Sequence, residues 1–158
     1  MEAMEELAEH KRAILRLLKP TGLKDIHTSG RLGEASIALA LGHRLCSGTG
    51  NVDAYCGRGT TYEYKSKQRT GVRSGRPNKE QFVFRVPRKD NSFTMPTADF
   101  IVCARQDRLG YYDMWMIENG PELKWLLGKP KKETLSMEEV MALGKKAWER
   151  KERGLFAR

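Results

Sequence analysis

Two acidic residues and a lysine lie close enough in the sequence to act on one ligand. Asp53 precedes Glu63 by ten residues, and Lys65 follows Glu63 by two. A hard divalent cation such as Mg²⁺ takes oxygen ligands, commonly one or two carboxylates together with water and substrate phosphate. The ion can polarise a phosphoryl oxygen and lower the pKa of a bound water, while a lysine orients that water or stabilises the developing negative charge. We therefore interpret these residues as a candidate site for Mg²⁺-dependent hydrolysis of a phosphodiester.

The sequence around these residues predicts a β-hairpin. Segments 52–55 and 61–65 flank CGRGT, whose two glycines permit the positive φ values of a hairpin loop. Along the second strand, the period of two places Glu63 and Lys65 on one face and the neighbouring tyrosines on the other. The acid and the lysine therefore point in the same direction.

The register of the hairpin determines whether the two acids meet. A loop centred on Arg58 pairs Ala54 with Tyr62 and Asp53 with Glu63. Directly opposed residues have Cβ atoms about 4.5–5.5 Å apart, and like charges placed there are destabilising, so a positive group is expected between them. The alternative is a surface hairpin in which the lysine forms an ordinary salt bridge with one of the acids.

A helix is predicted before the hairpin, from an N-cap at Ser29 through the mainly apolar run GRLGEASIALALG. Glu34 is the exception, because it shares a helix face with Ile37, Ala38 and Leu41. A buried carboxylate without a partner costs several kcal/mol, so we expect Glu34 to have a cationic or metal partner. The alternative is a partly exposed glutamate near the start of the helix.

These motifs together resemble a known family. A helix bearing Glu34, then Asp53, then Glu63-Tyr64-Lys65 on the next strand is similar to the PD-(D/E)XK nuclease superfamily. The ten-residue interval between the acids, the sequence YEYKS and the chain length are most similar to those of small homodimeric type II restriction endonucleases. The resemblance covers residues 29–66 closely and the later strands only in pattern.

The resemblance implies a fold and a set of roles. The fold would be α/β (α+β), a restriction-endonuclease-like core with a central mixed β-sheet flanked by helices. Asp53 and Glu63 would be catalytic metal ligands, Lys65 would orient the attacking water, and Glu34 would be an auxiliary catalytic acid. Asn51-Val52 stands where the family motif can carry a proline. The implied activity is Mg²⁺-dependent, sequence-specific cleavage of double-stranded DNA. The alternatives are a structure-selective nuclease, such as a Holliday junction resolvase, and a DNA-binding module without catalysis.

Composition and local charge favour a polyanionic partner. Lys and Arg total 29 against 20 Asp and Glu, a formal charge of +9. The segment KSKQRTGVRSGRPNK contains glycines and no acid, so it predicts a cationic loop. Such a loop could follow DNA phosphates or enter a groove. The alternative is a solvated loop without a binding role. Within this segment, Arg73, Arg76 and Asn78 are candidates for base-edge contacts. The predicted DNA-binding residues are Lys67, Arg69, Arg73, Arg76, Asn78 and Lys79.

The remaining chain predicts a single domain over residues 1–158. Its N-terminal part, 1–20, contains an amphipathic helix that packs on its own core or, alternatively, contacts a second copy in a homodimer. Segments 81–86, 98–104 and 111–117 predict strands, and the middle one predicts a central strand covered on both sides. Two further helices are predicted, one from Pro121 to Gly128 and a C-terminal one over 136–153 that begins at the capping box of Ser136 and Glu139.

Several classes of protein are disfavoured. No apolar run approaches the roughly 18 residues of a membrane span, and MEAMEELAEHKR is too acidic for a secretory signal, so we expect a soluble, cytoplasmic protein without a membrane partner. Three cysteines without CxxC spacing indicate neither a disulfide framework nor a zinc site. We interpret His43, Cys46 and Cys56 as packing residues.

Overall fold

The computed structural model of the chain describes residues 2–22, 29–47, 52–68, 81–84, 86–87, 93–107 and 110–151. Its α-helices are α1 (Glu2–Leu18), α2 (Ser29–Leu41), α3 (Pro121–Leu127) and α4 (Met137–Leu143). Its strands are β1 (Arg44–Leu45), β2 (Ala54–Tyr55), β3 (Thr61–Gln68), β4 (Gln81–Val83), β5 (Val86–Pro87), β6 (Phe93–Thr94), β7 (Phe100–Asp107), β8 (Gly110–Glu118), β9 (Thr134–Ser136) and β10 (Lys145–Glu149). A 3-10 turn, Lys19–Thr21, follows α1.

Six strands form the main sheet in the order β1-β2-β3-β7-β8-β10. The pairing of β3 with β7 is parallel, and the other neighbours in this sheet are antiparallel. Strands β4 and β9 form one small sheet, and β5 and β6 form another. The expected α/β (α+β) fold, with a mixed sheet flanked by helices, is therefore confirmed.

The two faces of the main sheet pack against different hydrophobic cores. Each face is named after side chains of β3. On the tyrosine face, Tyr62 and Tyr64 of β3 pack with Ile37 and Ala38 of α2. The opposite, carboxylate face carries Glu63 and Lys65 of β3. These two residues lie beside Ile101 and Cys103 of β7, which belong to the core formed with α3, α4 and β9.

The central strand β7 fits its sequence pattern. Ile101, Val102, Cys103 and Ala104 are completely buried, because apolar residues on both faces of this strand meet one of the two cores. The prediction of a central strand covered on both sides is confirmed. Strand β8 and helices α1, α2 and α3 also lie where the sequence predicts them.

The C-terminal helix predicted over 136–153 is much shorter in the structure. The capping box of Ser136 and Glu139 is present, but α4 ends at Leu143 and the following residues form β10. A Cβ on Gly144 would lie 2.9 Å from the carbonyl oxygens of Met116 and Val140, so the chain here crosses the main chain of β8 too closely for any side chain. The chain then pairs with the open edge of β8, and this tertiary pairing overrides the helical propensity of KKAWE.

Strand β9 was not predicted, and the strand predicted over 81–86 is divided between β4 and β5. Among the residues that the structure describes, no helix is long and apolar enough to cross a membrane.

Candidate active site

The hairpin forms in the predicted register. Ala54 pairs with Tyr62 and Tyr55 with Thr61, so the loop is centred on Arg58. The tight return uses Gly59 at φ 81°, a value that glycine adopts without steric cost. The backbone N–H of Gly59 donates to the carbonyl of Cys56 over 2.9 Å. Local turn chemistry therefore fixes which residues of the two strands meet.

The ladder becomes irregular at Asp53, one residue before β2. The N–H of Asp53 donates to the carbonyl of Tyr62 over 2.8 Å, so Asp53 and Ala54 both oppose Tyr62, as in a β-bulge. The Asp53 carboxylate turns to the partner strand, where Oδ2 accepts the N–H of Tyr64 over 2.6 Å. The predicted direct opposition of Asp53 and Glu63 is thus wrong. The bulge instead brings the carboxylate to the amide that joins Glu63 to Tyr64.

Glu63 and Lys65 meet on the carboxylate face, as their spacing predicts. Lys65 Nζ lies 2.5 Å from Glu63 Oε1, and the two side chains are 20% and 13% exposed respectively. The other carboxylate oxygen, Glu63 Oε2, is buried and has no hydrogen-bond partner within the described ranges. A buried polar atom without a partner carries a desolvation cost, so it requires an explanation beyond the ion pair.

The oxygen atoms of Asp53 and Glu63 are the candidate metal ligands. No group of three or more His, Cys, Asp and Glu side chains in the described part of the chain is arranged to hold a metal ion. Mg²⁺ needs fewer protein ligands, because it commonly binds one or two carboxylates and keeps water and substrate phosphate as its other ligands. Glu63 Oε2 is an unpaired buried oxygen, and Asp53 Oδ1 accepts no hydrogen bond from the described residues. Each of these two carboxylates therefore has one oxygen of the chemical type that Mg²⁺ binds.

Glu34 has a different environment from the one that the resemblance implies. Arg31 Nη1 donates to Glu34 Oε2 over 2.9 Å, and Arg31 Nη2 donates to the carbonyl of Cys46 over 2.7 Å. Glu34 therefore has a cationic partner, and its side chain is 28% exposed, as in the alternative of a partly exposed glutamate near the start of the helix. Helix α2 packs on the tyrosine face, whereas Glu63 and Lys65 lie on the carboxylate face. The structure does not bring Glu34 together with the hairpin lysine and glutamate.

The tyrosine face contains a closed polar arrangement around His43. The His43 ring is buried and stacks on Tyr62 with ring centroids 3.8 Å apart, and its Nδ1 lies 2.9 Å from the Tyr64 hydroxyl. Burial lowers the pKa of His43, and burial followed by the charge of Asp53 raises the pKa of Tyr64. The interpretation of His43 as a packing residue is confirmed.

Only one predicted DNA-binding residue lies within the described ranges. Lys67 is on β3, two residues beyond Lys65, and pairs in parallel register with Arg105 of β7. The other five, Arg69, Arg73, Arg76, Asn78 and Lys79, lie outside the described residues.

The ion pair between Arg105 of β7 and Asp113 of β8 was not predicted from the sequence. Arg105 Nε donates to Asp113 Oδ1 over 2.8 Å, Nη2 contacts Oδ2, and the indole N–H of Trp115 donates to Oδ2 over 3.2 Å. Burial alone would raise the pKa of Asp113, but the hydrogen bonds from Arg105 and Trp115 hold it below its ordinary value. The alternation of β7 and β8, with Arg105 and Asp113 directly paired, is the signal that could have revealed it.

No protein-family model matches this chain, and a search of curated proteins finds no significant match.

Proposed function

We propose that the chain is a Mg²⁺-dependent endonuclease that cleaves double-stranded DNA at the hairpin site. The observation that carries the proposal is the Glu63 carboxylate, which is paired with Lys65 through one oxygen and has no partner among the described residues for the other, buried oxygen. A salt bridge formed only for stability would gain nothing from such an oxygen. A divalent cation would compensate the buried charge that remains.

Each of three residues has a distinct role in this proposal. Asp53 and Glu63 would hold the ion, and the hydrogen bond from the Tyr64 amide fixes the Asp53 carboxylate. Bound Mg²⁺ supplies Lewis acidity, which polarises a phosphoryl oxygen and lowers the pKa of a water. Lys65, held at its place by Glu63, donates a hydrogen bond that orients the attacking water and stabilises negative charge developing on the phosphate.

Charge supports DNA as the substrate. The formal charge of +9 favours a polyanion, and Lys67 extends the line of cationic side chains on β3 past Lys65. A backbone phosphate bound at Lys65 would therefore have a second cation within reach along the same strand.

Cleavage of both DNA strands suits two copies of the chain, each cutting one strand of a palindromic site. Helix α1 offers a surface for this contact, because Leu17 near its end is 69% exposed while Ile14 is only half-buried. Covering these side chains with a second copy would remove apolar surface from water.

The test is digestion of a plasmid with and without Mg²⁺ by the parent chain and by Asp53→Asn. Asparagine keeps an oxygen that can accept the Tyr64 N–H but removes the negative charge. We expect Asp53→Asn to abolish Mg²⁺-dependent cleavage and to retain DNA binding. Glu138→Gln, an exposed acid on α4, is the matched control and should cut like the parent.

The products distinguish the possible outcomes. Discrete fragments support sequence-specific cleavage, whereas cleavage of branched DNA alone supports a structure-selective nuclease. If neither linear, supercoiled nor branched DNA is ever nicked in the presence of Mg²⁺, the proposal is wrong and the chain is a DNA-binding module.

A further inference from the structure

The β-bulge at Asp53 changes the hydrogen bonding of the neighbouring strand. The register of β1 with β2 continues to Cys46 and Asp53, and Cys46 donates its N–H to the carbonyl of Asp53 over 2.8 Å. In a regular antiparallel pair, two residues bonded in this way exchange both of their N–H···O bonds. Asp53 instead donates its N–H to the carbonyl of Tyr62 on β3. The Cys46 carbonyl is therefore open to a donor from outside the sheet.

A guanidinium from α2 takes the place of the diverted N–H. Arg31 Nη2 donates to the Cys46 carbonyl over 2.7 Å, and Nη1 of the same side chain donates to Glu34 Oε2 over 2.9 Å. Hydrogen bonds from a charged donor are shorter and about twice as strong as those between neutral groups. The planar guanidinium is thus held by its own helix through one nitrogen, and it holds Cys46 through the other.

The charges of Arg31 and Asp53 both act on the side chain of Cys46. Burial raises the pKa of the Cys46 thiol, the negative charge of Asp53 raises it further, and the positive charge of Arg31 lowers it. The guanidinium from α2 therefore lies in the same neighbourhood as the carboxylate that is proposed to bind the metal ion.

The bulge sets the direction of the Asp53 carboxylate. In a regular strand the N–H and the C=O of one residue point to the same neighbouring strand, whereas those of Asp53 bond to β3 and β1 respectively. Its Oδ2 then accepts the N–H of Tyr64 over 2.6 Å. Asp53 is fixed by Tyr62 and Tyr64 on one side and by Cys46 on the other. A displacement of Cys46 would release one of these contacts.

We propose that Arg31 is a positioning residue for Asp53, acting through Cys46, and that Glu34 serves the same site by holding Arg31 and not by binding the metal ion. The inference rests on the proposed function, because it concerns a ligand of the proposed Mg²⁺ site. It gives α2, which packs on the tyrosine face, a role in that site. Groups that orient metal ligands support metal binding without touching the ion.

The first test measures the Mg²⁺ concentration that gives half of the maximal increase in Tm. Loss of a group that orients a ligand typically costs 10–100-fold in metal affinity, so Arg31→Met should raise this concentration by about 10–100-fold. Arg31→Lys keeps the charge but not the planar fork, and it should give a value between those of the parent and Arg31→Met. Arg44→Met is the matched control. It removes the same charge from an exposed residue of β1 and should behave like the parent.

Glu34→Gln distinguishes support of Arg31 from direct binding of the ion. Glutamine keeps an oxygen that can accept the hydrogen bond from Arg31, so the half-saturating Mg²⁺ concentration should rise much less than in Arg31→Met. A metal ligand would lose its charge in the same variant. A loss of Mg²⁺ affinity as large as that of Arg31→Met would therefore overturn the role proposed for Glu34.

Amide hydrogen exchange in EDTA gives a second readout, which needs neither metal nor DNA. In Arg31→Met, the amides of Cys46 and Tyr64 should exchange faster, because the contacts around Asp53 open locally. The amide of Val102, in the central strand β7, should exchange as in the parent. If Arg31 only stabilised the fold as a whole, the Val102 amide would exchange faster, because it opens with global unfolding.

The outcomes separate the role of Arg31 from the proposed function. If Mg²⁺ raises the Tm of the parent and Arg31→Met has the same half-saturating concentration, the positioning role is wrong and the nuclease proposal stands. Weaker Mg²⁺ binding together with faster exchange of the Tyr64 amide in Arg31→Met supports the positioning role. If Mg²⁺ does not raise the Tm of the parent, the metal site and the role of Arg31 are both wrong.

Discussion

Alternate residues of one strand, β3, meet two very different environments. On the tyrosine face, the Tyr64 hydroxyl has a partner in His43 and the Tyr62 ring has a stacking partner in the same histidine. On the carboxylate face, Glu63 uses one oxygen in an ion pair, and its other oxygen is buried without a partner in the part of the chain that the structure describes. Both environments are largely shielded from water, but among the described residues the buried side-chain oxygen that lacks a hydrogen-bond partner is Glu63 Oε2.

The difference separates a polar group that stabilises the fold from one that is kept for a ligand. Buried polar atoms normally have hydrogen-bond partners, and the arrangement around His43 follows this rule. The exception at Glu63 is ion-paired with Lys65, and the Asp53 carboxylate accepts the N–H of the next residue on β3, Tyr64. The comparison therefore predicts that changes on the two faces will have separable effects.

Glu63→Gln should have the strongest effect, a loss of Mg²⁺-dependent DNA cleavage. Loss of groups that only support metal ligands typically costs 10–100-fold, so loss of a ligand charge should lower Mg²⁺-dependent cleavage by more than about 100-fold. The free energy of unfolding without divalent cations should change by no more than about 1–3 kcal/mol, because glutamine still offers an oxygen to Lys65. Plasmid cleavage and urea unfolding measure the two quantities. A variant that still cuts at the parent rate would remove the distinction between the faces.

The next effect is on stability, from Tyr64→Phe on the tyrosine face. Removing the hydroxyl leaves the buried His43 Nδ1 without its partner, which should cost about 1–3 kcal/mol of unfolding free energy. The backbone N–H of Tyr64 still binds Asp53, so cleavage per folded molecule should stay close to that of the parent. Urea unfolding and cleavage at low temperature test this. Loss of cleavage without loss of stability would show that the Tyr64 hydroxyl belongs to the reaction.

The smallest effect is a pH dependence from His43. Burial lowers its pKa below the ordinary value of 6.5, so between the folded and unfolded pKa values the unfolded chain binds more protons. This contribution to stability is fully present above pH 6.5 and is lost as the pH falls towards the folded pKa. Thermal unfolding between pH 7.5 and 5.5 should show a decrease that is smaller in His43→Gln. An identical decrease in both proteins would assign it to other groups.

Much of the site could be predicted because its determinants are local. The glycines of CGRGT fix the hairpin loop, and the loop fixes the pairing of Ala54 with Tyr62. The period of two along β3 then separates Glu63 and Lys65 from the tyrosines. The bulge at Asp53 could not be predicted, because it depends on how β2 begins and on a side chain that accepts the Tyr64 N–H.

The parts of the fold that were missed depend on partners distant in the sequence. Residues Lys145–Glu149 are good helix formers, but the unpaired edge of β8 and the crowded crossing at Gly144 make them a strand. Strand β9 exists because β4 offers an edge to it. The sequence could not place Glu34 relative to the hairpin, because helix periodicity shows which residues share a face and not which face of the sheet that helix covers.

We propose that Glu63 keeps one carboxylate oxygen for a metal ion. Thermal unfolding with and without Mg²⁺ tests this proposal. Ligand at 100 times its Kd stabilises the folded state by about 2.7 kcal/mol, and each kcal/mol raises the Tm of a domain of this size by about 2–4 °C. We expect Mg²⁺ to raise the Tm of the parent and of Glu138→Gln by several degrees, and that of Glu63→Gln only slightly. Equal Mg²⁺-induced increases in all three proteins would contradict it.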